Sequence, residues 1–202
     1  MIGIIDYGMG NLKSVSNALD SLNIKNIISD DKEILKSCKK LILPGVGAFN
    51  DAMKNLKKNN LDKFILEEVE NGKELLGICL GMQLLFEEGY EGEKMNGLGL
   101  LKGKIVKMNG EGRRVPHIGW NNGRHYKKDK LLKGIKEGSY FYYVHSYIAS
   151  DYLKEDLLIG ADYNGILIPG LFRKKNIIGA QFHPEKSGEV GLKLLGNFSK
   201  GE

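Results

Sequence analysis

The chain has few of the residues that fix a structure without help from a hydrophobic core: 2 cysteines, 4 prolines and 1 tryptophan in 202 residues. The two thiols, Cys38 and Cys79, form no C-x-x-C pair. A disulfide scaffold is therefore excluded, and no zinc or redox motif is present. None of the 4 histidines, His117, His125, His145 and His183, has metal-ligand spacing, so neither a metal nor a cofactor is expected. No apolar run approaches membrane-spanning length, and the opening MIGIID is cut by Asp6 before it could form a signal core. The expectation is a cytoplasmic chain that meets no membrane. Charge of one sign is also missing: 30 Lys and Arg face 25 Asp and Glu, a net +5. The basic residues are scattered, and the longest cluster, Arg173-Lys174-Lys175, reads as solvated surface. With no basic stripe interleaved with aromatics, nucleic acid is not an expected partner.

What is present is an ordinary globular composition, 42% hydrophobic and 27% charged, with 27 glycines. One domain over residues 1–202 is the expectation. In the first half, apolar runs at Ile2 to Ile5, Asn26 to Ser29, Leu41 to Leu43 and Leu75 to Ile78 alternate with helical periods such as Leu12, Val15, Leu19 and Leu22. Helices are also predicted up to Leu56, over Leu61 to Glu70, and from Leu80 to Glu88. The second half reads as strands at Lys104 to Met108, Tyr140 to Ile148, Asp156 to Tyr163, Ile166 to Phe172 and Asn176 to Phe182, then a helix from Gly188 to Phe198. This pattern predicts an α/β fold: a doubly wound, mainly parallel sheet with helices on both faces, a flavodoxin-like core, and an antiparallel extension in the C-terminal half.

In such sheets sites form beyond the carboxyl ends of the strands. Gly77-Ile78-Cys79-Leu80-Gly81 lies there as a G-x-C-x-G strand-turn-helix pattern, the cysteine counterpart of a nucleophile elbow. The two glycines let strand and helix approach closely, and the helix start favours a thiolate. A buried cysteine can equally be a small hydrophobe, so a base is needed. Gln181-Phe182-His183-Pro184-Glu185 supplies one. Extended geometry at His183 and Glu185 directs both side chains to one side, so the carboxylate can orient the imidazole while its other nitrogen faces the thiol. Gly8-Met9-Gly10 lacks the third glycine of a dinucleotide loop, since position 13 is Lys13. Gly119-Trp120-Asn121-Asn122-Gly123 reads as a loop, and Cys38 as structural.

The stretches Gly-Ile-Cys-Leu-Gly-Met-Gln and Gln-Phe-His-Pro-Glu-Lys-Ser together resemble the signature of class I glutamine amidotransferases. Asp6 to Leu12, Pro44 to Phe49, Val115 to Asn121 and Tyr143 to Tyr147 are similar to the glutaminase subunits of imidazole glycerol phosphate synthases, and the likeness runs from Ile2 to about Phe198. The resemblance implies glutamine hydrolysis through a thioester, with Cys79 as nucleophile, His183 as base and acid, and Glu185 holding the imidazole. It implies backbone oxyanion donors at Leu80 and in Val46-Gly47, where glycines on both sides of Val46 would let a peptide reorient when a partner binds. It implies glutamine contacts at Gln83, Glu91, Ser146 and Tyr147. Asn11, Trp120 and Asn121 would face a (β/α)₈ cyclase subunit that receives the ammonia for histidine biosynthesis. A glutaminase subunit of a related synthase outside that pathway, and a non-catalytic relic, stay open as alternatives.

Overall fold

The computed structural model describes residues 1–200. The chain runs β1 (Ile2–Ile5), α1 (Leu12–Ser21), β2 (Asn26–Ser29), α2 (Lys32–Ser37), β3 (Lys40–Gly45), α3 (Phe49–Lys58), α4 (Leu61–Glu70), β4 (Glu74–Cys79), α5 (Leu80–Gln83), β5 (Phe86–Gly89) and β6 (Met95–Asn96). It continues through β7 (Leu101–Lys107), β8 (His117–Asn122), β9 (Arg124–His125), β10 (Tyr140–His145), β11 (Tyr147–Ser150), β12 (Leu157–Tyr163), β13 (Ile166–Lys174), β14 (Ile177–Ala180) and α6 (Gly188–Lys200).

The main sheet has the order β2-β1-β3-β4-β14-β13-β12-β9. The first five strands in that order are parallel and the last three antiparallel. Side-chain alternation divides the core between the two faces. Leu41, Leu43 and Leu75 pack with Leu35, Leu56 and Ile65 of α2, α3 and α4. Ile42, Leu76 and Ile78 pack with Val15 and Leu19 of α1 and Leu194, Leu195 and Phe198 of α6. Helices thus cover both faces, as the alternation of apolar runs and helical periods predicts. A four-stranded sheet, β11-β7-β5-β6, joins the first face, and the β8–β10 ribbon joins the second.

Four expectations need correction. The helix expected from Leu80 to Glu88 is a single turn, because Phe86 and Glu88 pair with Leu101 and Lys104 of β7 and Glu88 also pairs with Asn96. The strand expected over Tyr140 to Ile148 breaks at Ser146: β10 pairs with β8, and β11 crosses to pair with β7. Gly119 to Asn122 is strand rather than loop, held by Tyr140 to Tyr143 opposite. Arg173 is not solvated surface. It bridges Glu74 and Asp129, each at 3.1 Å, with its side chain 12% exposed. A short strand reads poorly when its stability comes from a distant partner.

The elbow glycines are packing requirements. A Cβ on Gly81 would lie 1.8 Å from the Leu43 carbonyl oxygen, and one on Gly77 would lie 2.6 Å from the Gly81 carbonyl oxygen. Both contacts are against backbone atoms, so no side-chain shift relieves them. Gly81→Ala is expected to lower unfolding free energy by about 3 kcal/mol or more. Gly196→Ala, which meets nothing within 4 Å on helix α6, is expected to raise it by about 0.5–1 kcal/mol. Urea titration of the two variants beside the parent chain checks both signs.

Candidate active site

Cys79 is the last residue of β4 and sits at φ +54°, ψ −113°. A non-glycine residue in that region costs on the order of 1–3 kcal/mol and persists only where the surroundings enforce it. Here the enforcement is the close packing of Gly77 and Gly81 on either side. The strained turn carries the side chain to the carboxyl end of the sheet, 7% exposed. Its Sγ lies 3.7 Å from the Val144 carbonyl oxygen and 4.0 Å from Gln181 Nε2.

β14 is the neighbour of β4, with Ala180 opposite Ile78, so the chain leaving β14 passes beside the elbow. His183 lies three residues beyond, extended at φ −96°, and a turn of 3₁₀ helix from Pro184 to Lys186 follows it. The extended geometry expected at Glu185 needs correction: the 3₁₀ turn, not strand alternation, directs Glu185 back, and His183 Nδ1 lies 2.7 Å from Glu185 Oε1. The pair is almost fully buried, with side chains 3% and 1% exposed. His183 Nε2 has no hydrogen-bond partner and is left for the Cys79 side. The His183 backbone is fixed too: its N–H donates to Tyr142 at 2.9 Å and its carbonyl accepts from the Ser187 hydroxyl at 2.6 Å.

Burial works against charge on His183, but the nearby Cys79 and Glu185 side chains outweigh it and push the imidazole pKa up to about 10. The proton is therefore held on His183 at neutral pH. Burial, and next the charge at Cys79, pushes the Tyr7 hydroxyl up from its ordinary value.

A cavity of about 270 Å³ opens over the sulfur, lined among others by Val46, Gly47, Cys79, Gln83, Glu91 and Tyr147. Leu80, Ser146 and His183 also line it. Leu80 opens α5, and a first-turn N–H has no partner within its helix. Gly47 has φ +100° and Val46 is 44% exposed, immediately after β3. Gly45 is not a source of freedom for Val46: it is strand, paired with Cys79, and a Cβ there would lie 2.7 Å from Gly81 N. Conformational latitude is confined to Gly47. One oxygen of Glu91 accepts from Phe49 N–H at 2.8 Å, so this member of the acidic run Glu87 to Glu93 is fixed at the cavity.

The scan against family models matches "Glutamine amidotransferase class-I" over residues 3–200. The chain belongs to that family. Among curated proteins, it is 49% identical to the imidazole glycerol phosphate synthase subunit HisH of Bacillus velezensis, covering 99% of this chain and 96% of that one. It is 50% identical to the HisH subunit of a Geobacillus species, over 98% and 96%. Solved structures agree in fold: a glutamine amidotransferase crystal structure superposes with TM-score 0.77 at 22% identity over 98% of this chain and 97% of that one. PurLQS from Thermotoga maritima gives 0.72 at 21% over 98% and 97%.

Not every predicted residue of this amidotransferase lines the cavity. Asn11 instead borders, with Pro44, Gly45, Val46, His183 and Glu185, a crevice too narrow for a water molecule. Trp120 is on the outer face of the β8–β10 ribbon, 55% exposed, with its ring 5.9 Å from that of Tyr142. Ile118 and Tyr140 are exposed on the same face. Asn121 is on the other face, donating to the Asp162 carbonyl at 2.8 Å. The sequence reading missed Lys186, Val144 and Gln181. Lys186 and Val144 line the cavity, and Gln181 is a fully buried amide beside the sulfur. The signal for Gln181 was a lone polar residue inside the apolar run Ile177 to Phe182.

His183 titrates above the ordinary imidazole value of about 6.5. Its contribution to stability is therefore fully present below that value and is lost as pH rises through about 10. Glu185→Gln is expected to bring the His183 midpoint down by about one unit or more in an NMR titration of the imidazole nitrogens, and to start the alkaline loss of stability at lower pH.

Proposed function

We propose that the chain is the glutamine-hydrolysing subunit of an imidazole glycerol phosphate synthase and passes ammonia to a (β/α)₈ cyclase subunit. The observation that carries the chemistry is the buried His183–Glu185 pair, which leaves Nε2 free toward a strained Cys79 over a cavity sized for an amino acid. The HisH relatives carry the choice of synthase and weigh against a subunit from outside histidine biosynthesis.

In this reading the Cys79 sulfur attacks the side-chain amide carbon of glutamine. The C–N bond breaks, the imidazolium of His183 gives its proton to the departing nitrogen, and ammonia leaves a glutamyl thioester. Water then attacks the thioester. His183 takes its proton, the C–S bond breaks, and glutamate leaves with the sulfur restored. The oxyanion formed in each half is held by the Leu80 N–H and by a donor in Val46-Gly47, which a peptide rotation at Gly47 supplies once the partner is bound. Glu91 and Gln83 receive the α-ammonium group, and the backbone at Ser146 and Tyr147 the α-carboxylate.

Ammonia at neutral pH is mostly protonated and a poor nucleophile, which favours delivery through an enclosed route. In this reading Asn11 and the exposed apolar Ile118–Trp120–Tyr140 face belong to the partner surface. Asn121, on the opposite side of that ribbon, positions it through Asp162.

Glutamate release is measured for the chain alone and with a histidine-pathway cyclase plus its nucleotide substrate. Strong stimulation is expected, with no activity in Cys79→Ala and kcat lowered by about 10²–10⁴-fold in His183→Gln. Equal rates with and without the cyclase would remove the partner assignment, and full activity in Cys79→Ala would remove the chemistry.

A further inference from the structure

A buried polar chain runs from the β8–β10 ribbon to the Cys79 sulfur, and apart from Gln83 none of its side chains takes part in the chemistry above. His117 Nδ1 lies 3.1 Å from His145 Nε2, and His145 Nδ1 lies 3.0 Å from the Tyr147 carbonyl oxygen. A carbonyl only accepts, so His145 carries its proton on Nδ1, its Nε2 accepts, and His117 Nδ1 donates. Both rings stay neutral: burial pushes His117 down to about 4, and burial, with the neighbouring His117 and His183, pushes His145 down to about 3. His117 is also stacked against Tyr163 and Tyr143, with ring centroids 4.0 and 5.0 Å away.

The same Tyr147 carbonyl accepts from Gln83 Nε2 at 3.1 Å, and that nitrogen also donates to Gln181 Oε1 at 3.1 Å. Gln181 is fully buried, its N–H held by the Gly170 carbonyl at 2.8 Å and its Nε2 turned to the Cys79 sulfur. Donor accounting then fixes Gln83. Both of its N–H groups are engaged, so Oε1 is the atom left for the cavity that Gln83 lines together with Glu91. An oxygen acceptor beside a carboxylate suits an ammonium group, whereas the reversed amide would present N–H groups to it.

We propose that Gln181 is a positioning residue for substrate preference: by accepting from Gln83 Nε2 it locks the Gln83 amide with its oxygen toward the cavity, so that the site selects substrates carrying an α-ammonium group. The inference rests on the glutaminase reading and on Gln83 and Glu91 receiving that group. Gln181 touches no substrate atom in this scheme. The His145 donor acts in the same sense, holding the Tyr147 carbonyl where it accepts from Gln83 as well.

The test compares glutamine with glutaramate, the same molecule without its α-amino group, on the complex with the cyclase. The readout is the inhibition constant of glutaramate divided by the KM for glutamine. Gln181→Met, which keeps length and removes the acceptor, is expected to lower that ratio by about tenfold to a hundredfold, the loss of one hydrogen bond to a charged group. Gln181→Asn withdraws the same acceptor while keeping an amide, and gives the same result should the methionine variant fold poorly. Gln181→Glu keeps an oxygen facing Gln83 and is expected to retain the parent preference even if its turnover falls. A ratio unchanged in Gln181→Met and Gln181→Asn, with both constants scaled alike, overturns the proposal and leaves Gln181 a packing residue. If the parent complex releases no glutamate from glutamine, the glutaminase reading itself fails and takes the proposal with it.

Discussion

Ala180 stands opposite Ile78 in the parallel pairing of β14 with β4, which sets Cys79 at the end of one strand and His183 three residues past the end of the next. The two are 104 positions apart in sequence, and this pairing brings them together. Beyond it, a one-turn helix and a 3₁₀ turn aim the side chains: α5 holds the elbow closed against Leu43, and Pro184–Lys186 returns Glu185 to the imidazole. A shift of β14 by one residue would move His183 along the sheet and exchange its inward and outward faces. Gly179, opposite Gly77, resists that slip: a Cβ brought to its place would lie 2.5 Å from Met82 Cγ.

From that pairing follow both the strain and the charge at the site. Cys79 is held at positive φ because neither flanking glycine can accept a side chain, and the His183–Glu185 pair is held in the interior by the bond between Nδ1 and Oε1. The proton on His183 opposes the cost of placing a carboxylate in the interior, and removing one partner leaves the other uncompensated. The ribbon that carries the exposed Trp120 is tied to the same place: the His183 N–H donates to Tyr142, on the strand paired with β8. A partner seated on the ribbon therefore has a short mechanical route to the base.

Much of this was legible in the sequence because it rests on residues that tolerate no substitute. Gly77, Cys79 and Gly81 announce an elbow through steric demands alone, and His183-Pro184-Glu185 announces an oriented imidazole. The parallel core was legible through its apolar runs. The elbow helix was overestimated because Glu87 and Glu88 are good helix formers by local preference, while the strand pairing with β7 is decided by residues fifteen or sixteen positions away. The break at Ser146 is marked in the sequence only by the polar pair His145-Ser146 inside an aromatic-rich run whose two halves pair in different sheets. Gln83 could be read as a polar residue on an exposed helix face. Only the structure puts it inside, its amide divided between Tyr147 and Gln181, since a buried polar chain leaves no periodic trace. Gly45 beside Val46 suggested flexibility, but the backbone of Gly81 packs against it.

The central claim is that Cys79 becomes covalently acylated during glutamine hydrolysis, and acid-quenched mass spectrometry of the chain in complex with the cyclase during turnover tests it most directly. The account predicts a glutamyl adduct on the peptide containing Cys79, abundant when water attack is slowed in His183→Gln and absent from Cys79→Ala. Steady glutamate release with no adduct on Cys79 in either the parent chain or the histidine variant would contradict it.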